Sequence, residues 1–291
     1  DIIMNLVNVG GNFVFIFGMF GFPSFGVAGA AMGTALSRIV GAALGWGALL
    51  SGKFDIKVEL KDMFRPIWKV SSQIINIGIP AGLQGISRNA STFVLFAILA
   101  RTLDSANAVP AFVIGTNLNQ YALMPGLAIG TAAATLSGMN LGAKQYDRAE
   151  ASGRATAVLG AGVMLFISVV FYLFATPFIN FFLDVPNDEV VRIGTQFLLL
   201  IAIAEPFHAV TIVASRTMQG AGYTKKPFQI TLISWVFIRL ALAYFLAIVL
   251  KLDSTGVWIA ISVSLIISGF MSYSLFNKGE WKKVKIYSVS G

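Results

Sequence analysis

Long apolar runs follow one another along this chain with little between them, and that pattern restricts the backbone more than any single motif does. Eight runs can be traced: about Ile2–Phe20, Gly26–Leu50, Ser72–Leu99, Val109–Ser137, Thr156–Thr176, Ile193–Ser215, Phe228–Leu250 and Gly256–Phe276. At about 1.5 Å per residue in a helix, such runs match a hydrocarbon core of about 30 Å. In that medium every backbone N–H and C=O needs an internal partner, which leaves only helices and closed barrels. The runs are continuous and lack the alternation of barrel strands. With 56% hydrophobic and only 12% charged residues, the composition is far from that of a soluble domain, at about 25% charged. The expected fold is an all-α integral membrane protein, a polytopic bundle of about eight transmembrane helices.

The basic residues alternate between connections. Ser51–Val70 carries Lys53, Lys57, Lys61, Arg65 and Lys69; Gly138–Ala155 carries Lys144, Arg148 and Arg154; Arg216–Pro227 carries Arg216, Lys225 and Lys226; the tail carries Lys278, Lys282, Lys283 and Lys285. The opposite connections hold Arg101, Arg192 and Lys251. The excess of Lys and Arg places the first set, including the C-terminus, in the cytoplasm. The four-residue spacing in Ser51–Val70 makes one helical face, suited either to an anionic leaflet or to a solvated linker. The formal charge of +8 is dispersed among loops and does not suggest nucleic acid. With no cysteine, disulfides and thiolate metal sites are excluded. The first run begins at once after Asp1, without a visible signal peptide, so the expectation is the C-terminal part of a longer protein.

Glu205 is the only acidic residue inside a membrane-length run, Ile193–Ser215. Pro206 follows it, and His208, the only histidine, lies three residues on. A carboxyl at that depth is costly unless paired, protonated or facing water. Glu205 and His208 are therefore the candidate ion-coupling residues; the alternative is a protonated Glu bonded to a neighbouring helix. Three arginines, Arg38, Arg88 and Arg239, also fall inside runs. Pairing of one of them with Glu205 is an open expectation, and Arg239 is expected to be structural. Asn117, Gln120, Tyr121 and Met124 share one helical face. An amide-rich stripe with an aromatic and a thioether suits either an adaptable cavity wall or interhelical hydrogen bonding. Gln84, Arg88 and Ser91 form a similar stripe with Asn89 nearby. Pro80, Pro125 and Pro206 are hinge candidates, since each removes a backbone donor.

Two segments are alike at a shift of 230 residues: Gly26, Val27 and Ala30 match Gly256, Val257 and Ala260. Each opens the last run before a basic stretch, as an internal repeat of two bundles would require. An ordered set of short motifs runs the length of the chain. It comprises Gly78-Ile-Pro80, Tyr121-Ala-Leu-Met-Pro125-Gly, Gly138-Met-Asn140-Leu-Gly142-Ala143, Met218-Gln-Gly220-Ala-Gly222-Tyr-Thr224-Lys-Lys-Pro227, Trp235-Val-Phe-Ile-Arg239 and Gly279-Glu-Trp281. In order and spacing the chain resembles the multidrug and toxic compound extrusion (MATE) transporters.

The resemblance implies twelve helices in two pseudo-symmetric lobes. Residues 1–50 would then be the last two helices of the N-terminal lobe, 51–70 a cytoplasmic linker, 71–276 a six-helix C-terminal lobe and 277–291 a cytoplasmic tail. It further implies a secondary active efflux antiporter that exports organic compounds in exchange for H+ or Na+, with no bound cofactor. Expected partners are membrane lipid, a small organic substrate and the N-terminal helices of the same protein. Arg88 stands where one branch of the family carries a glutamate, and His208 where that branch carries an aspartate. These departures favour H+ over Na+. Alternatives are a lipid-linked oligosaccharide flippase of the same superfamily, which the deep arginines suit, and a non-transporting fragment. An enzyme is disfavoured: one histidine and one deep carboxylate are too few for most hydrolytic schemes.

Overall fold

The structure, a computed structural model, describes residues 2–51, 68–183 and 186–284. The basic ladder expected at Lys53, Lys57, Lys61 and Arg65 lies outside the described residues, as does Lys285 of the tail. The described backbone forms α1 (Ile2–Phe17), α2 (Val27–Leu50), α3 (Trp68–Leu99), α4 (Ser105–Gly142), α5 (Tyr146–Phe181), α6 (Asp188–Gly220), α7 (Lys225–Val249) and α8 (Asp253–Asn277). Each expected run centres on one of these helices, although the first, Ile2–Phe20, outlasts α1, which ends at Phe17 before the left-handed Gly18. Six of them, α2 and α4 to α8, are long and apolar enough to cross a membrane. The 16 residues of α1 reach only about 24 Å at helical rise, and α3 is diluted by polar residues such as Gln84, Arg88 and Asn89.

The helices outrun the apolar runs. The run Val109–Ser137 lies in a helix of 38 residues, and Thr156–Thr176 in one of 36 residues. Backbone hydrogen bonding continues past the point where side chains turn polar. Pro80, Pro125 and Pro206, the expected hinges, lie inside helices with no non-helical residue beside them. The irregular backbone falls instead at Phe174 in α5 (φ −119°, ψ 17°), three residues before Pro177. A proline ring collides with the carbonyl four residues back in a straight helix, so the distortion appears in the turn before it.

By internal packing the chain divides into Asp1–Ser71 and Ser72–Gly291. In the first unit α1 and α2 pair at close range. A side chain at Gly29 would fall on the Phe15 carbonyl, and Gly11 lies against Gly33. Small residues permit such approach where no hydrophobic force drives helices together. Asn8 also donates to Thr34 Oγ1 at 3.3 Å.

In the second unit α6 is the central element, packed against α4, α5 and α8. Its N-terminus is capped by Asn187, whose side chain accepts from the N–H groups of Glu189 and Val190. Phe112 of α4, Phe197 of α6 and Trp258 of α8 interlock, with ring centroids 4.9–5.7 Å apart. Phe96 of α3 caps this group at 4.8 Å from Phe112. At the same end Asp104 accepts from the hydroxyl of Ser254 at 2.5 Å, placing a carboxylate at the α8 N-terminus. At the opposite end Trp281 is fully buried, stacked on Phe276 at 5.2 Å and donating its indole N–H to the Phe276 carbonyl. Around it Lys282 meets Glu150 at 2.5 Å, and Tyr223 donates to Glu280 at 2.8 Å. Burial and the neighbouring Glu280 carboxylate push the Tyr223 phenol up to about 12, so it stays a donor at physiological pH.

The internal repeat is only partly matched. Gly26 precedes the first residue of α2 with φ 54° and open space about it. Gly256 is the fourth residue of α8, and a side chain there would come within 2.6 Å of the Ala247 amide. The matched residues therefore sit about a turn apart relative to their helix starts.

Gly220 lies against the Ala134 carbonyl, whereas Gly162 of α5 has nothing near its missing side chain. Gly220→Ala in the full-length protein is expected to cost about 1–3 kcal/mol by forcing α6 from α4. Gly162→Ala should be neutral or slightly stabilising; thermal unfolding in detergent checks both. Trp281→Ala is expected to lower the unfolding midpoint more than either, consistent with a loss of about 3–5 kcal/mol.

Candidate functional site

The middle of α6 holds Glu205 at 0% exposure. Neither carboxyl oxygen has a hydrogen-bond partner among the described residues. His208, one turn on, brings its Nδ1 to 3.7 Å from Glu205 Oε2. That is ion-pair range, slightly beyond a hydrogen bond, and the Nδ1 has no other partner. The (i, i+3) spacing places both on one face, so the pairing follows from the sequence once the helix is granted. A buried carboxyl beside an imidazole can hold a proton on either group, and burial penalises a lone charge on one of them.

The expected arginine partner does not meet it. Among the described residues Glu205 has no ion pair other than that with His208. Arg239, 3% exposed, is occupied elsewhere. Its guanidinium lies 3.6 Å from the centroid of the Trp235 ring, and its Nε donates to Ser264 Oγ at 2.8 Å. The second contact ties α7 to α8. The Trp235 ring also stands 6.0 Å from that of His208. Trp235 thus neighbours both the acid–imidazole pair and the arginine. It sits in a π-helical stretch, Leu232–Ile238, and a second such stretch occupies Phe245–Val249. Such turns are rare in helices and frequent at functional sites.

Toward the C-terminal end of α6 a polar cavity of about 100 Å³ is lined by Ala81, Gln84, Arg88, Leu127, Thr211, Ile212, Ser215, Arg216 and Gln219. Gln84 organises it. Its amide donates to Thr231 Oγ1 and accepts from Gln219, both at 2.7 Å, which ties α3 to α6 and α7. Ser91, of the same stripe, donates to the Trp235 carbonyl at 2.6 Å. So the α3 stripe is partly interhelical bonding and partly cavity lining. Asn89 is exposed.

On α4, Asn117, Gln120, Tyr121 and Met124 are all exposed, Tyr121 at 61% and Met124 at 55%. They form an open face, with no hydrogen bond to another helix among the described residues. Arg38 is exposed on α2. Pro80 and Pro206 are half-buried and Pro125 exposed. Sequence reasoning missed Arg216, read as part of a loop; α6 runs four residues beyond it, which makes Arg216 a cavity residue. Ser264 carried no sequence signal, because only the packing of α7 on α8 brings it to Arg239.

Fold and composition define a polytopic, all-α membrane protein. The MatE family profile matches residues 80–245, and the chain belongs to the MatE family. A relative described as an uncharacterized transporter, YisQ of Bacillus subtilis, is 28% identical over 278 residues, covering 96% of this chain and 60% of that protein. A probable multidrug resistance protein, NorM of Thermotoga maritima, is 27% identical over 280 residues, covering 96% of the chain and 59% of the relative. This chain thus spans about three fifths of the length of these relatives. Among solved structures, a MOP superfamily transporter from Pyrococcus furiosus, described as having a binding pocket of reverse polarity, superposes with a TM-score of 0.88 at 20% identity. An outward-facing MATE family transporter gives 0.88 at 19% identity. Each match covers 98% of this chain and 62% of the other.

Arg239→Lys is expected to destabilise the full-length protein by about 1–3 kcal/mol. A lysine cannot both stack flat on Trp235 and reach Ser264 with a fixed donor. Arg239→Met, which removes the buried charge but keeps the bulk, should cost less. Unfolding midpoints of the two variants provide the comparison.

Proposed function

We propose that the full-length protein is a secondary active multidrug efflux antiporter, exporting small organic compounds in exchange for protons across the cell membrane. The observation that carries the choice of ion is the buried Glu205–His208 pair at 3.7 Å. A proton needs one acceptor and one neighbour that responds to its arrival, and α6 supplies both within a turn. Membership of the family and relatives described as multidrug resistance proteins support efflux.

In this reading residues 1–50 complete an N-terminal lobe, residues 71–276 form the C-terminal lobe, and the basic tail faces the cytoplasm. With one proton between them the pair is neutral, as an acid beside a neutral imidazole or as a carboxylate beside an imidazolium. Loss of that proton leaves a lone buried carboxylate and alters the contact of His208 with Trp235. The packing between α6 and α7 then differs between the two proton states, and a difference in free energy between states is what allows a bound ion to select a lobe arrangement. Substrate lies along the open face of α4, where Tyr121 and Met124 offer adaptable apolar contact and Asn117 and Gln120 offer amides.

The test is dye efflux from liposomes containing the full-length protein under an imposed proton or sodium gradient. Proton-driven efflux is expected, and Glu205→Gln should reduce it about a hundredfold or more, the range for loss of a proton-transfer group, with an unchanged unfolding midpoint. Efflux that persists unaltered in that variant removes Glu205 from coupling. Efflux driven only by sodium overturns the choice of ion.

A further inference from the structure

Most arginines of the larger unit that carry a partner are easy to account for. Arg154 pairs with Glu150, Arg192 with Glu189, and Arg239 rests on Trp235 and Ser264. Arg88 and Arg216 differ. Both line the cavity between α3 and α6, no acidic residue lines it with them, and neither guanidinium has an ion pair or a side-chain hydrogen bond among the described residues. The Ser215 hydroxyl, in the same wall, also has no hydrogen-bond partner among the described residues. Gln84 and Gln219, which bond each other at 2.7 Å, are neutral amides and bring no negative charge to offset this. The nearest deep carboxylate on α6, Glu205, is eleven residues from Arg216, about 16 Å along the helix.

We infer that this cavity is a subsite for an anionic oxygen group (carboxylate, sulfonate or phosphate) of an amphipathic organic compound. Two unpaired guanidiniums within a membrane bundle repel each other and are costly to desolvate. An anion offsets both costs, and the planar forks of Arg suit bidentate recognition of such groups. The volume of about 100 Å³ is well below the 300–1,000 Å³ of a pocket for a whole drug-sized ligand. It therefore takes a headgroup and leaves the rest of the molecule outside. Leu127 of the cavity wall follows Met124 by three residues on α4, so the cavity adjoins the open face of Tyr121 and Met124. The apolar body of the ligand lies there. The inference rests on the efflux reading only for what the site is used for; its chemistry is tested by binding alone.

The probes are fluorescein, an aromatic carboxylate, and ethidium, an aromatic cation, titrated against the full-length protein in neutral detergent without any gradient and followed by fluorescence anisotropy. Arg88→Gln and Arg216→Gln are each expected to weaken fluorescein binding about tenfold or more, the scale of a lost charge-assisted contact, and to leave ethidium binding and the unfolding midpoint unchanged. Arg88→Lys should recover part of the affinity, because it restores charge without the fork, and added salt should weaken binding in the native protein. Ser215→Ala, the smallest change, should weaken fluorescein binding without touching a charge. Repeating the titration in nanodiscs with and without phosphatidylglycerol separates the sources of the group. Competition by phosphatidylglycerol that disappears in Arg88→Gln assigns the site to a lipid headgroup; no competition assigns it to a free organic anion. Failure of the native protein to bind fluorescein, or equal affinity in both Gln variants, overturns the inference. Arginine-dependent fluorescein binding in a protein that exports nothing would leave the subsite standing and remove the antiporter.

Discussion

A helix enclosed by other helices must satisfy its polar side chains from within, and α6 shows both ways of doing so. Two of its hydroxyls turn back on the backbone: Thr211 donates to the Phe207 carbonyl and Thr217 to that of Val213. That device serves a group with one proton to give. It does not serve a carboxylate, which has only acceptors, nor a guanidinium, which needs several oxygens. Glu205 therefore depends on His208, and the charges of Arg88 and Arg216 depend on whatever enters their cavity. The packing of α4, α5 and α8 against α6 creates this shortage, because the same close fit leaves few side-chain alternatives.

The two polar systems of α6 have opposite character and share an azimuth, since eleven residues make just over three whole turns. At about 16 Å and an effective dielectric constant of about 20, unit charges interact by about 1 kcal/mol. That is large enough to bias a conformational equilibrium several-fold and too small to lock the two together. Charge at one level of the helix is thus sensed at the other without a chain of contacts. The gap between them contains Thr211 and Ile212, both buried.

Much of this was legible in the sequence, and the failures share a cause. The eight runs foretold eight helices because hydrocarbon leaves the backbone so little choice. Helix ends were misread because hydropathy reports the surroundings of side chains, whereas the helix persists as long as its backbone bonds do. That error alone moved Arg216 from a loop to a cavity. The Glu205–His208 pair was visible because it is local, three residues apart on one helix. The partners of Arg239 were not: Trp235 lies one turn away, but only the π-helical geometry and the approach of α8 determine that the guanidinium covers its ring and meets Ser264. Proline alone does not say where a helix is irregular: the three hinge candidates have no non-helical residue beside them, while Pro177, just past the expected end of its run, lies three residues after the one irregular residue of α5.

The two π-helical stretches of α7 have a bearing on how this helix is spelled. A π turn accommodates one residue more than an α turn over the same rise, so α7 holds more residues than its length as a regular helix would allow. Removal of one residue from Leu232–Ile238 would let that stretch relax to a regular helix and leave the side chains beyond it facing as they do now, whereas the same removal from the regular turns of Arg239–Tyr244 would rotate every later side chain by about 100°. The two π-helical stretches are therefore the places where α7 can change its length by a residue without changing what its far end presents to α8.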